Sequence, residues 1–351
     1  MNNLIKVYAA YCKNEELRLT SSSGGMFSVI ANYVFKNNGV VYGVVMSDDC
    51  YSAVYKRIDS VNDLSTMRGS KYLQAKVGDT FHRIKRDLDC GKNVLFTGTG
   101  CYINGLNSYL QRKYDNLLCM DIVCHGTPSP KLWKKYAKYQ ESKFKSKIIY
   151  VSFRNKDKHD WNGFEMKEID NNYNELYISR HIDPYFSMFV KNIALRPSCF
   201  ECTAKYYKLS DITVADFWGI DSVAPELNDN KGISLVIIRS KKGQELFDTI
   251  NQELIFKEVS YEDSVKENKS EYQSYLKPKE REQFFVDMNK LSFEKLTKKY
   301  VTVPIWKNCG RKVKHLIQKL WGVTDKKIQT HEDYGLLFKL LDSETSPVRK
   351  K

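Results

Sequence analysis

Apolar positions along the chain fall into short runs separated by polar or small residues, and the runs differ in length and period. Residues 5–11 (IKVYAAY) and 40–46 (VVYGVVM) read as strands, and Met26 to Phe35 between them reads as an apolar-rich helix. Ser21, Ser22, Ser23, Gly24 and Gly25 lead into that helix. The same order of strand, small-residue loop, helix and strand recurs. Residues 93–96 form the strand, Thr97 to Gly100 the loop, Tyr102 to Leu110 the helix and Leu117 to Val123 the next strand. The last is almost continuously apolar, as burial on both faces requires. Alternating strands and helices predict an α/β fold with a mixed, largely parallel sheet and flanking helices. From Lys131 the texture shifts to a Lys- and Tyr-rich helix, then to strand-like pieces at 148–153, 211–217 and 233–238 that are expected to continue the sheet. Beyond residue 260 the chain turns charged and then helical in pattern, which predicts a helical C-terminal extension.

Composition narrows the class. At 351 residues there is ample material for a core, and 56 Lys and Arg against 42 Asp and Glu leave a net charge of +14. That excess raises the question of a polyanionic partner. No nucleic-acid motif accompanies it, so nucleic-acid binding is not expected. Nine cysteines, an odd number in a long chain, do not resemble a disulfide scaffold and point to a reducing, cytoplasmic setting. Lys6, Lys13, Glu15, Glu16 and Arg18 interrupt the N-terminal apolar residues, so no signal peptide is expected. No stretch reaches the ~18–20 apolar residues of a membrane span. The charge concentrates instead in helices. Residues 131–147 hold seven Lys and one Glu, and Arg311 to Trp321 places Val313, Leu316, Ile317, Leu320 and Trp321 on one face. Such a basic amphipathic helix is compatible with peripheral contact to an anionic membrane, with docking to a partner, or with packing on its own domain.

Candidate chemistry gathers at the ends of predicted strands. The Ser21 to Gly25 loop opens onto a helix N-terminus, where backbone N–H groups and the helix dipole favour a phosphate. Arg68, Gly69, Ser70, Lys71 and Tyr72 put two cations beside a Gly and a Ser. That composition suits either an anion or a solvated turn. Cys101 follows Thr97, Gly98, Thr99 and Gly100 at the start of a helix, where the dipole favours its thiolate. Cys124 ends the next strand, beside His125 and Gly126. If these strands are parallel, both thiols open on one edge of the sheet, the edge where α/β proteins bind ligands. Cys199 and Cys202 form a CxxC pair, and the four thiols together are enough for a tetrahedral zinc or a 4Fe-4S cluster. Cys12, Cys50, Cys90, Cys119 and Cys309 read as ordinary small apolar residues.

At these residues the sequence becomes recognisable. The ordered strings SSSGGMFSVIANYV, GVVYGVVM, MRGSKYLQA, VLFTGTGCYINGL, MDIVCHGTPSPKLW, FRNKDKHDWNGF, LRPSCFEC, SDITVADFWGI and NKGISLVIIRSKKG resemble the coenzyme F420 hydrogenase/dehydrogenase beta-subunit family over residues 5–245. The resemblance implies an α/β flavoprotein with a small N-terminal part, about residues 1–85, and a catalytic part, about 86–260. The helical, basic extension at 261–351 follows. It implies FAD and a 4Fe-4S cluster, with the flavin converting between two-electron and one-electron chemistry. On this reading Cys101, Cys124, Cys199 and Cys202 are cluster ligands. Ser23, Gly24 and Gly25, Arg68 to Tyr72, and Thr97, Gly98 and Thr99 hold FAD, and Lys71 neutralises pyrophosphate or reduced flavin.

Departures from the family pattern are informative. Gly100 and Tyr102 stand where the family usually has Pro and Gln around the cysteine, and no ferredoxin-like cysteine module precedes residue 101. Electrons are therefore expected from a separate carrier: a ferredoxin, a flavodoxin or a deazaflavin coenzyme. The organic partner is expected to be a small-molecule or glycan-related substrate, in surface-polysaccharide metabolism. A non-redox descendant, zinc-binding or cofactor-free and acting as a glycan-pathway transferase or scaffold, is the alternative. His125 suits a proton donor or a turn-orienting residue. Asp216, Trp218 and Gly219 are candidates to line the site, and His159 and Trp161 to reach substrate.

Overall fold

A computed structural model describes residues 5–158 and 160–301. His159, Cys309 and the basic stretch Arg311 to Trp321 lie outside the described residues, as does the rest of the expected extension beyond residue 301. Twelve strands are formed among the described residues: β1 (Val7–Cys12), β2 (Val40–Met46), β3 (Ala53–Ile58), β4 (Ala75–Lys76), β5 (Val94–Thr99), β6 (Leu117–Ile122), β7 (Ile148–Asn155), β8 (Glu165–Asp170), β9 (Glu175–Ser179), β10 (Ile212–Asp216), β11 (Ser234–Ile238) and β12 (Leu254–Val259). Nine of them form one sheet in the order β12-β1-β11-β10-β6-β5-β2-β3-β4.

Pairing is parallel where βα units cross over. β10 runs with β6, β6 with β5, and β5 with β2, in the register Thr99 opposite Ile122 and Val214 opposite Ile122. β11 is antiparallel to β10 and β1 is antiparallel to β11. β1 therefore points the same way as β10, and the ends of β1, β5, β6 and β10 share one edge. The period of two sorts side chains cleanly. Tyr8, Ala10 and Cys12 of β1 pack on one face with Val29 and Ile30 of the helix Met26–Lys36. Val7 and Ala9 face the other side, with Trp161, Phe217 and Leu235. In β2, Val41 and Val45 join the first face, while Val40 and Tyr42 meet Ile103 and Leu106 of the helix Gly100–Leu110.

The expected α/β sheet is present, and one element sits elsewhere. β7 does not continue the large sheet but pairs antiparallel with β8, which pairs with β9, as a separate three-stranded sheet. The Lys-rich helix, Pro130–Phe144, buries Leu132, Trp133, Tyr136 and Ala137. Lys131 donates to Asn289 Oδ1 and Lys135 to the Leu291 carbonyl, so part of its basic face ties it to the helices Arg281–Lys290 and Phe293–Tyr300. No described helix is long and apolar enough to cross a membrane.

Between this helix and β8 lies a buried carboxyl pair. Glu168 and Asp183 are both inaccessible to solvent. Tyr136 donates to Asp183 Oδ2 at 2.7 Å and Gln140 Nε2 to Glu168 Oε2 at 3.2 Å, leaving Glu168 Oε1 unpaired. Burial, and then the neighbouring Asp183 charge, push the Glu168 carboxyl up to about 8. Between the ordinary glutamate range and about 8 the folded chain keeps a proton that the unfolded chain releases, so stability falls as pH rises through that window. Glu168→Gln should flatten the decline by up to about 1.4 kcal/mol per pH unit. Urea titrations of both proteins between pH 5 and pH 8.5 measure it, and parallel curves would show that Glu168 carries no trapped proton.

Candidate functional site: two cavities with a common wall

The parallel strands bring the chemistry to one place. Cys101 is the second residue of the helix that β5 feeds, and Cys124 lies two residues beyond the end of β6. The CxxC loop is hung on the chain after β6 by backbone bonds: Ser129 N–H donates to the Ala194 carbonyl and Arg196 N–H to that of Thr127, both at 3.0 Å. Thr127 N–H also points at Cys199 Sγ, 3.4 Å away. All four cysteines line one small cavity, together with Arg196, Lys205 and Lys208. Arg196 Nη2 lies 3.7 Å from Cys101 Sγ, and Thr99 Oγ1 lies 3.1 Å from the same sulfur. Lys205 Nζ donates to the carbonyls of Cys124 and Ser270, fixing a cation beside the thiols. Burial pushes the free Cys124 thiol up to about 12, with Lys205 opposing the rise. Among the described residues no three His, Cys, Asp or Glu side chains converge on a point that holds a single metal ion. The eight described cysteines are unpaired. Cys12, Cys50 and Cys119 are buried, whereas Cys90 is exposed at a helix end.

Beside this cavity lies a larger one of about 580 Å³. Ser23 and Gly25, Arg68 to Tyr72, and Thr97, Gly98 and Thr99 all reach its wall. The two small-residue loops are joined: Ser70 N–H donates to Ser22 Oγ at 2.9 Å, and Arg68 reaches Ser28 Oγ and Thr20 Oγ1, each at 3.1 Å. The helix Met26–Lys36 has no side-chain N-cap, and its first turn faces this cavity. Gly24 lies behind the wall. A Cβ there would stand 2.5 Å from the Ala10 carbonyl oxygen and 2.8 Å from Ser234 N, so only glycine lets the turn press against β1 and β11. At Gly100 a Cβ would stand 3.1 Å from Asp121 Oδ2 and 3.2 Å from the Ala204 Cβ. The departure to Gly thus matches a tightly packed helix start, and Tyr102 hydrogen-bonds the Ala75 carbonyl at 2.6 Å.

Two of the expected site residues have their donors engaged within the protein. Lys71 Nζ donates to the carbonyls of Thr66, Met67 and Arg68, at 3.2, 2.9 and 2.8 Å. All three of its donors thus close the C-terminal turn of the short helix Leu64–Met67 rather than facing an anion, and burial lowers its ammonium to about 7. His125 lines both cavities. Its Nε2 donates to Asn192 Oδ1 at 2.7 Å and its ring packs 4.2 Å from that of Tyr275. Burial lowers it to about 4, so it stands neutral at pH 7 rather than as a charged acid. Trp161 is core, stacked 5.0 Å from Trp218, which lines the larger cavity with Asp216. Residues that sequence reasoning passed over are Arg196, Lys205 and Lys208 beside the thiols, and Arg154 and Arg180 in the larger cavity.

The two cavities share a wall made of Thr99, residues 122–127 and Ser270. Cys124 belongs to both.

Four thiols at an α/β sheet edge, set against a large cavity, lie where α/β proteins bind ligands. The sequence matches two family models of coenzyme F420 hydrogenase/dehydrogenase: that of the N-terminal part of the beta subunit, over residues 7–80, and that of its C-terminal part, over residues 91–264. The chain belongs to this family of hydrogenase and dehydrogenase subunits. Among solved structures it is similar to a chain of the F420-reducing [NiFe] hydrogenase complex of Methanosarcina barkeri. The TM-score is 0.50 with 14% identity, covering 72% of this chain and 81% of that one, a likeness of fold. No curated protein matches the sequence.

Gly24→Ala should separate the loop from β1 and β11 and lower stability by roughly 1–3 kcal/mol, the usual range for an overpacked site. Denaturant unfolding measures the loss. An unchanged midpoint would mean that the loop relaxes away from the sheet freely.

Proposed function

We propose that the protein is an oxidoreductase subunit that holds FAD in the larger cavity and a 4Fe-4S cluster on Cys101, Cys124, Cys199 and Cys202. The observation that carries this reading is the common wall, because it sets a four-thiol site directly against a cavity of cofactor size. The donor chemistry fits the groups. Four soft sulfurs suit iron–sulfur ligation, and Arg196, Lys205 and Lys208 offset the negative charge of thiolate ligands. On the other side, the uncapped helix start and the Ser22–Ser70 junction supply backbone N–H groups and hydroxyls where a dinucleotide's phosphates are held.

When bound, the flavin exchanges electron pairs and the cluster single electrons, which lets an organic molecule communicate with a one-electron carrier. The chain's own part is positional. Gly24 holds the loop to the sheet, Lys71 fixes the Arg68 to Tyr72 turn by capping a helix, and Lys205 pins the Cys124 and Ser270 carbonyls in the common wall. His125 keeps a neutral ring between the cavities, so it orients the wall and adds no charge at neutral pH. The electron carrier is external, of ferredoxin, flavodoxin or deazaflavin type. The substrate is a small organic molecule, with glycan-related compounds the first class to assay.

Anaerobic purification followed by metal and flavin analysis tests the reading. It expects about four iron per chain and about one FAD, with broad visible absorption from a single cluster. Zinc without flavin would establish the non-redox alternative instead. Cys199→Ser and Cys202→Ser should each abolish the cluster absorption, and a variant that retains it would remove that residue from the ligand set.

A further inference from the structure

Arg154 sits in β7 with its side chain 2% exposed, on the wall of the larger cavity. Only one edge of its guanidinium is used. Nη1 is paired with Asp216 Oδ2, and Asp216 Oδ1 accepts from Trp161 Nε1 at 3.2 Å. Nε and Nη2, which together form the side-on fork, have no hydrogen-bond partner although they are buried. The Tyr72 hydroxyl approaches the guanidinium without satisfying either atom. Buried unpaired donors are uncommon in folded proteins and normally face a partner that completes them.

A second guanidinium stands close by. Arg180 also lines the cavity, its Nε is buried without a partner, and both arginines lie over the ring of Phe164, with Arg154 4.3 Å and Arg180 5.1 Å from its centroid. Burial first, and then the Arg154 charge, lower the Arg180 guanidinium below its ordinary range. Two cations held on one phenyl ring repel each other, and Asp216 is already committed to Arg154 and Trp161. An anion between them relieves that repulsion and fills the open fork. The side-on edge of an arginine matches two oxygens of a carboxylate or a phosphate.

We propose that Arg154 and Arg180 form a subsite for a carboxylate or phosphate group on the organic molecule that enters the larger cavity. That this molecule is a redox substrate rests on the function proposed above; the subsite itself does not. The two sources of such a group are the substrate's own anion and the phosphates of the dinucleotide. Trp218 lies beside the fork on the same wall, its ring 5.6 Å from the Arg154 guanidinium carbon.

The test uses the full-length protein, with iron and flavin measured on each preparation. Inorganic phosphate is titrated at constant ionic strength and read by tryptophan fluorescence, since Trp218 lies next to Arg154. Arg154→Lys keeps a cation beside Asp216 but removes the fork, and Arg180→Gln removes the second charge at a half-buried position. Both variants should bind phosphate at least roughly tenfold more weakly than the wild type, the loss expected of a charged hydrogen bond. Weaker phosphate binding with flavin content unchanged assigns the subsite to the substrate, and flavin lost in parallel assigns it to the dinucleotide. Wild-type phosphate affinity in both variants overturns the proposal. A preparation without iron or flavin that still shows arginine-dependent phosphate binding overturns the redox reading and leaves the subsite standing.

Discussion

Parallel pairing of β5, β6 and β10 is the constraint from which the site follows. A parallel strand must leave the sheet at the same edge as its neighbours and return through a crossover. The residues just beyond each strand are therefore collected whatever their distance in sequence. Cys101 and Cys124 are 23 positions apart and Asp216 is nearly a hundred further on, yet all three open at this edge. β1 joins them through two antiparallel steps, which restore its direction and deliver the Ser21 to Gly25 loop to the same side. The CxxC pair is the exception. It arrives on a loop held by backbone bonds to Thr127 and Ser129, so its position depends on the chain after β6 rather than on a strand of its own.

Much of this was legible from apolar runs and small-residue punctuation. β1, β2, β5, β6, β10 and β11, the helices that follow β1 and β5, and the Lys-rich helix after Ser129 announce themselves, because buried strands have few polar positions to obscure them, whereas β3, β4 and the helix Thr80–Asp89 do not. Nor does the three-stranded sheet. β8 reads EMKEID and β9 reads ELYIS, and charged residues at that density give no apolar run to find. Without its partners, the sequence of β7 looked like one more strand of the large sheet.

The site divides along the same line. Cysteines and glycines are rare enough to be noticed at strand ends. Arg154, Arg180, Arg196 and Lys205 are four of 56 cations, and nothing in the residue type separates a buried one from a solvated one. Several of the most buried cations spend their donors on backbone oxygens. Arg18 donates to the Gly232 carbonyl, Arg281 to that of Leu195 and Lys205 to those of Cys124 and Ser270. Lys71 follows this pattern, which is why a residue with the right chemistry for an anion works instead as a helix cap. Part of the positive charge counted in the sequence is thus internal scaffolding rather than a surface for attracting partners.

The wall from Ile122 to Thr127 has a thermodynamic meaning beyond its position. Six consecutive residues face two compartments, and the segment carries both a thiol and the carbonyl that Lys205 holds. Any displacement that filling one compartment imposes on this peptide is transmitted to the other without an intervening element. Linkage then makes the effect mutual: the factor by which one occupant alters the affinity for the second is the factor by which the second alters the first. The order in which the two compartments are filled during assembly leaves that factor unchanged and affects only the rate.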